Sequence, residues 1–93
     1  MGEYIIRLSK IALKDLQKIK KSGRKLDILK IEKIFIELKN LPREGLGSPE
    51  HLKYYDGEVW SRQLNKKDRI VYEIFEEETL IIVIQALGHY NDK

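Results

Sequence analysis

Three segments follow one another with only short polar breaks: Glu58-Val59-Trp60-Ser61-Arg62-Gln63-Leu64, then Arg69-Ile70-Val71-Tyr72-Glu73-Ile74-Phe75, then Thr79-Leu80-Ile81-Ile82-Val83-Ile84-Gln85-Ala86-Leu87. Each has strand length and is rich in β-branched and aromatic residues. Asn65-Lys66-Lys67-Asp68 and Glu76-Glu77-Glu78 read as tight connections, and strands joined by turns this short pair antiparallel. The third segment holds the longest apolar run, Leu80 to Ile84, which suits a central or fully covered strand. That run is far too short to cross a membrane.

Upstream of the strands, residues 43–57 are punctuated by Gly45, Gly47, Pro49 and Gly57, the chemistry of a loop with turns. Before it lies a helix from about Lys25, with Ile28, Ile31, Phe35 and Leu38 on one face, Ile34 beside them and Lys30, Lys33, Glu37 and Lys39 outside. Pro42 marks its end, because proline cannot continue the hydrogen-bond ladder. An earlier helix has Ala12, Leu16 and Ile19 at helical spacing, Ser9 as its cap and Gly23 as its stop. Residues 3–8 alternate, with Tyr4, Ile6 and Leu8 on one side, as a short strand does. The expected fold is α+β, a small single domain over residues 1–93 in the order β-α-α-β-β-β. Its antiparallel sheet carries two helices on one face and leaves the other face or an edge to a ligand.

Ninety-three residues leave no room for a second core. At 42% hydrophobic and 35% charged residues, the composition is that of a folded chain rather than a disordered one. The absence of cysteine excludes disulfides and thiolate metal sites, and two histidines, His51 and His89, make a structural zinc site a poor expectation. Met1-Gly2-Glu3 runs straight into the first strand without signal-peptide architecture, so the cytoplasm is the expected compartment. Charge is divided unevenly: residues 1–47 hold 12 Lys or Arg against 6 Asp or Glu, and residues 48–93 hold 6 against 9. The basic half favours a polyanion such as RNA, but lysines that merely solvate two helices give the same count.

Cleaving RNA without a metal takes a base for the 2′-OH proton, a cation for the charge building on phosphorus, and an acid for the departing 5′ oxygen. Carboxylate, guanidinium and imidazole fill those roles. Glu50 in the glycine-punctuated loop, Arg69 at a strand start and His89 just past the last strand are the candidates at element ends. Taken singly, each is as well explained as a surface group, and Trp60 and Tyr72 as core aromatics. His51 is set aside, because neighbours in an extended segment point opposite ways.

The spacing says more than the single residues. Gly45-Leu46-Gly47-Ser48-Pro49-Glu50-His51-Leu52-Lys53, Trp60-Ser61-Arg62, Asp68-Arg69-Ile70-Val71-Tyr72 and His89-Tyr90, in that order, resemble the YoeB/Txe branch of the RelE superfamily. The members are toxins of bacterial type II toxin–antitoxin systems, and the resemblance covers essentially the whole chain. It implies a metal-independent, ribosome-dependent mRNA endonuclease that cuts in the A site by 2′-OH attack and leaves a 2′,3′-cyclic phosphate. Carried over by residue, Glu50 is the general base, His89 the general acid and Arg69 the cation on the phosphorane. Lys53 and Arg62 are further substrate-binding cations, and Tyr90 stacks on a base. No cofactor is implied.

The implied partners are a cognate antitoxin of the YefM/Axe kind and mRNA on the ribosome. Self-association, as in a homodimer, is common in that branch. In the family the His-Tyr pair commonly closes the chain, whereas here Asn91-Asp92-Lys93 follow. The competing readings are a ParE-like gyrase-inhibiting binding protein and a non-toxic antitoxin-binding module. A chain of the first kind would have no reason to keep the Glu50/His89 pair.

Overall fold

A computed structural model describes residues 3–88. Ile5–Leu8 forms β1, Lys10–Ser22 α1, Lys25–Leu38 α2, Glu50–His51 β2, Glu58–Gln63 β3, Arg69–Phe75 β4 and Leu80–Gln85 β5. A single 3₁₀ turn, Glu76–Glu78, joins β4 to β5.

The helices begin and end where local chemistry puts them. The Ser9 side chain accepts from the Ala12 N–H at 3.0 Å and so satisfies one of the orphan donors at the start of α1. The same hydroxyl donates to the Ile84 carbonyl at 2.7 Å, tying the start of α1 to β5. Gly23 closes α1 in the left-handed region, φ 75°, which glycine adopts without a Cβ penalty. α2 ends at Leu38, a few residues before Pro42. Pro42 itself is buried, and its carbonyl accepts from the Tyr72 hydroxyl at 2.7 Å.

The sheet runs β1-β5-β4-β3-β2, with β5 internal, as its apolar run suggests. β2, β3, β4 and β5 pair antiparallel in turn. β1 departs from the expectation of an all-antiparallel sheet: it pairs parallel with β5, Ile6 opposite Ile81 and Leu8 opposite Val83. Short turns dictate direction only for β3, β4 and β5. β1 reaches the sheet through two helices, which frees it to run either way, and here it covers an edge of β5 that would otherwise be unpaired. The other departure is β2, a two-residue strand inside the segment expected to be loop throughout.

The helices pack on one face. Ala12, Ile19, Ile31, Ile34 and Leu38 meet Ile70, Tyr72, Ile74, Ile81 and Val83 in one buried cluster. The opposite face has a smaller cluster, Leu52, Val59 and Val71 with Ile84 against them. There the β4–β5 register skips a residue, Tyr72 opposite Val83 but Val71 opposite Gln85, so Ile84 is bulged out of the ladder.

This layout fixes where truncation hurts. Ile34 is fully buried between α2 and the sheet, so Ile34→Ala should cost about 2–5 kcal/mol. Leu29, 53% exposed on the same helix, should change stability by no more than about 0.5 kcal/mol when cut to alanine. Urea unfolding of the two variants against the parent checks both.

Candidate active site

The pleat of the sheet decides which candidate residues share a face. Residues directly opposite on neighbouring strands project to the same side. Glu50 lies opposite Ser61, Ser61 opposite Val71 and Val71 opposite Gln85, which makes one row across the face away from the helices. Two residues along β4 from Val71, Arg69 faces the same way, opposite Gln63. With strands about 4.8 Å apart and a rise of about 3.4 Å per residue, the Glu50 and Arg69 backbones are roughly 12 Å apart. Side chains of their length can address one ligand from two sides. Lys53 is exposed in the turn just after β2.

His51 projects to the helix side, where its ring stacks on Trp60 with centroids 5.0 Å apart and planes 11° from parallel. Trp60 donates its indole N–H to Glu58 at 2.9 Å, and Arg43 forks onto the same carboxylate at 2.6 and 3.0 Å. Arg43 chiefly, with help from Trp60, holds the Glu58 carboxyl below its usual pKa despite partial burial. Arg43 also reaches Glu76, which accepts from the Tyr4 hydroxyl as well. Tyr54 and Tyr55 stack on each other, 5.7 Å between centroids, in the exposed turn beyond β2.

Arg62 is where sequence reasoning has to be corrected. It was expected to bind substrate, but its side chain is 0% exposed and lies on the helix side of β3, opposite Ile70. Its donors are taken up by groups of the helix, the loop and the neighbouring strand. Nη1 donates to Glu37 Oε1 at 2.7 Å and to the Leu46 carbonyl at 3.3 Å. Nη2 donates to the Leu41 and Glu44 carbonyls at 2.6 and 2.9 Å, and Nε to the Tyr72 hydroxyl at 3.1 Å. Burial raises the Tyr72 pKa, with Arg62 pulling weakly the other way. The Glu37 carboxyl lies below its usual range, first because the Leu46 N–H donates to it at 2.8 Å and then because of Arg62. A signal was available in the sequence: Trp60 and Leu64, two residues either side, are large apolar groups on the same pleat side.

Arg62 therefore moulds the loop that leads to Glu50. Two glycines let the chain lie that close. A Cβ on Gly45 would collide with the Glu37 carboxylate, and one on Gly47 would sit 2.9 Å from the Gln63 carbonyl oxygen. Both glycines have positive φ, 124° and 88°, as does Ser48 between them and Glu50, φ 50°. The Gln63 N–H then donates to the Gly47 carbonyl at 2.7 Å, and β2 begins three residues on.

His89 and Tyr90, the expected acid and stacking ring, lie outside the described residues. The last described residue, Gly88, is tied to the head of β4: the Arg69 N–H donates to its carbonyl at 3.1 Å, and its own N–H donates to Asp68 Oδ1 at 2.9 Å. Ser61, between Glu50 and Val71 in the row, is fully buried, and its hydroxyl has no hydrogen-bond partner among the described residues.

With that geometry in place, the relationships are informative. The model of the YoeB-like toxins of bacterial type II toxin–antitoxin systems matches residues 8–90. This chain belongs to that family. It is 35% identical over 54 residues to the YoeB toxin of Escherichia coli O6:H1, a match that spans 58% of this chain and 64% of that toxin. Its fold superposes on a YoeB/ParE toxin from Agrobacterium tumefaciens with a TM-score of 0.80 at 28% identity, covering 91% of this chain and 98% of that one. Against the heterotetrameric YoeB–YefM toxin–antitoxin complex of Staphylococcus aureus the TM-score is 0.77 at 27% identity, with 94% and 98% covered.

A structural role for Arg62 differs measurably from a substrate-binding one. Arg62→Met leaves the inward carbonyls of the loop without their donor, and the Glu37 carboxylate, 33% exposed, loses its buried partner. Leaving buried polar groups unsatisfied in this way costs about 1–3 kcal/mol. Denaturant unfolding in the absence of RNA should register that loss in full. A residue whose only job is to hold phosphate would leave the free protein's stability unchanged.

Proposed function

We propose that this chain is a ribosome-dependent mRNA endonuclease, the toxin of a type II toxin–antitoxin pair, that works in the cytoplasm without a metal ion. The observation that carries the reading is the placement of Glu50 and Arg69 on one face of the sheet, with Gly88, the residue before His89, bonded to the backbone of Arg69.

Glu50 takes the proton from the 2′-OH of the nucleotide upstream of the cut, and the freed oxygen attacks the adjacent phosphorus. Arg69 faces the two equatorial oxygens on which charge accumulates; a guanidinium presents paired donors to such a group and holds its charge at every physiological pH. His89 gives its proton to the departing 5′ oxygen. One P–O bond forms and one breaks, leaving a 2′,3′-cyclic phosphate upstream and a 5′-OH downstream. Lys53 adds positive potential at the exposed end of the site, and Tyr90 stacks on a base, worth roughly 1–3 kcal/mol. Arg62 has no part in the chemistry. An antitoxin of the YefM kind, as in the Staphylococcus aureus complex, is the partner that holds the activity in check.

Primer extension on mRNA from translating cells tests the reading. Induction of the parent chain should give new 5′ ends within coding regions and arrest growth. Glu50→Ala and His89→Ala should each lower cleavage by about 10²–10⁴-fold, the usual contribution of one general acid or base. Undiminished cleavage in both variants contradicts the mechanism, and DNA damage without mRNA cleavage points to a gyrase-directed binder.

The same pair predicts a pH profile. The base must be ionised, so the rate rises with pH on the acid side; the acid must be protonated, so it falls on the alkaline side. In a purified system on programmed ribosomes, Glu50→Gln should flatten the acid limb alone and His89→Gln the alkaline limb alone.

A further inference from the structure

Beyond β5 the chain does not simply run off the sheet. Residues 86–88 bend sharply, with Gly88 at φ 84°. Three successive peptide N–H groups in this bend point at carboxylates. Ala86 and Leu87 both donate to Asp15 Oδ2, at 3.0 and 3.2 Å, and Gly88 donates to Asp68 Oδ1 at 2.9 Å. A run of consecutive amides like this is a ready anion-binding concavity, and here the anions are the protein's own side chains.

The two carboxylates come from different parts of the fold. Asp15 is on α1, on the buried stripe between Ala12 and Ile19. Asp68 ends the β3–β4 connection immediately before Arg69. Its second oxygen accepts from Arg24 Nη1 at 3.3 Å and from Asn65 Nδ2 at 3.1 Å. Both aspartates are buried, 9% and 8% exposed. Burial by itself would raise the Asp68 pKa, but the Gly88 N–H, Asn65 and Arg24 together outweigh it and hold the carboxyl below its usual range. Buried carboxylates are costly unless well bonded, and each of these two gives one oxygen to a segment beyond the last strand. End segments of a domain are poorly ordered unless tied down.

We propose that Asp15 and Asp68 are positioning residues that fix the bend at 86–88, whose last residue, Gly88, is bonded to the Arg69 backbone and directly precedes His89 in the chain. The proposal rests on the reading of His89 as the general acid. It adds a helix and a hairpin to the parts of the molecule that set the acid's place. A displacement of about 1 Å in a reacting group costs up to about 100-fold in rate, so an anchor one residue away has leverage.

Single-turnover cleavage on mRNA-programmed ribosomes, with toxin concentration varied, tests it using Asp68→Asn, Asp15→Ala, His89→Gln and each aspartate variant combined with His89→Gln. Asp68→Asn cannot satisfy the Gly88 N–H on one side and the Arg24 and Asn65 donors on the other. Each aspartate change should slow cleavage at saturation about 10–100-fold and leave the half-saturating concentration unchanged. In the His89→Gln background neither change should slow cleavage further, because the group being positioned is gone. Aspartate variants that cleave at the parent rate, or whose losses multiply with that of His89→Gln, overturn the proposal while the acid assignment stands. His89→Gln at the parent rate overturns the acid assignment itself. Amide hydrogen exchange on the unmutated chain guards against variants that fail to fold. The N–H groups of Ala86, Leu87 and Gly88 should be protected, and free exchange there contradicts the clamp.

Discussion

The buried guanidinium of Arg62 is the constraint on which the site depends. A charge with no solvent exposure is tolerable only when its donors are matched, and Arg62 finds a carboxylate, three loop carbonyls and a tyrosine hydroxyl. Those partners lie on α2, on the loop after it and on β4. One side chain thus joins the helical layer to the sheet and shapes the irregular backbone between them. The loop carbonyls at Leu41, Glu44 and Leu46 would otherwise point inward unpaired, which a folded chain avoids. Once that stretch is pinned, Gly47 bonds to β3 and Glu50 enters the sheet opposite Ser61.

The division of labour between arginines follows from the pleat. Arg62 and Arg69 lie on adjacent strands, yet Arg62 is opposite Ile70 and so belongs to the other face from Arg69. One cation serves the core and the other faces outward with Glu50. A third, Arg43, holds Glu58 and Glu76 at the surface beside Tyr4 and Trp60. The helix side of the sheet is therefore used for stability, and the opposite face carries Glu50 and Arg69. Leu52, Val59, Val71 and Ile84 form the smaller buried cluster on that face.

Much of this was legible in the sequence where the signal is local. Ser9 and Gly23 mark the ends of α1 because capping is a matter of neighbouring backbone groups. β3, β4 and β5 follow from alternation and short turns, and the opposite orientations of Glu50 and His51 from the period of a strand. What escaped depends on residues far apart in the chain. The parallel direction of β1 is a pairing between opposite ends of the chain, Ile5 with Leu80 and Leu8 with Val83. The bonds from Asp15 link positions 71 and 72 residues apart, and no local rule reports them. Even so, traces were present. Asp15 interrupts the apolar stripe of α1, and Arg62 sits between Trp60 and Leu64 on one side of β3. A charged residue on an apolar face asks for a partner, and here the partners proved to be backbone.

In the mechanism we propose, Glu50 and Arg69 on the face away from the helices make the RNA's own 2′-oxygen the nucleophile. Replacing the 2′-OH at the scissile nucleotide with a 2′-O-methyl group, in an mRNA presented on the ribosome, tests it most directly. Cleavage at that position should disappear while the unmodified message is cut to a 2′,3′-cyclic phosphate. Cleavage of the methylated message at an undiminished rate would mean that another nucleophile attacks the phosphorus, and would contradict the role given to Glu50.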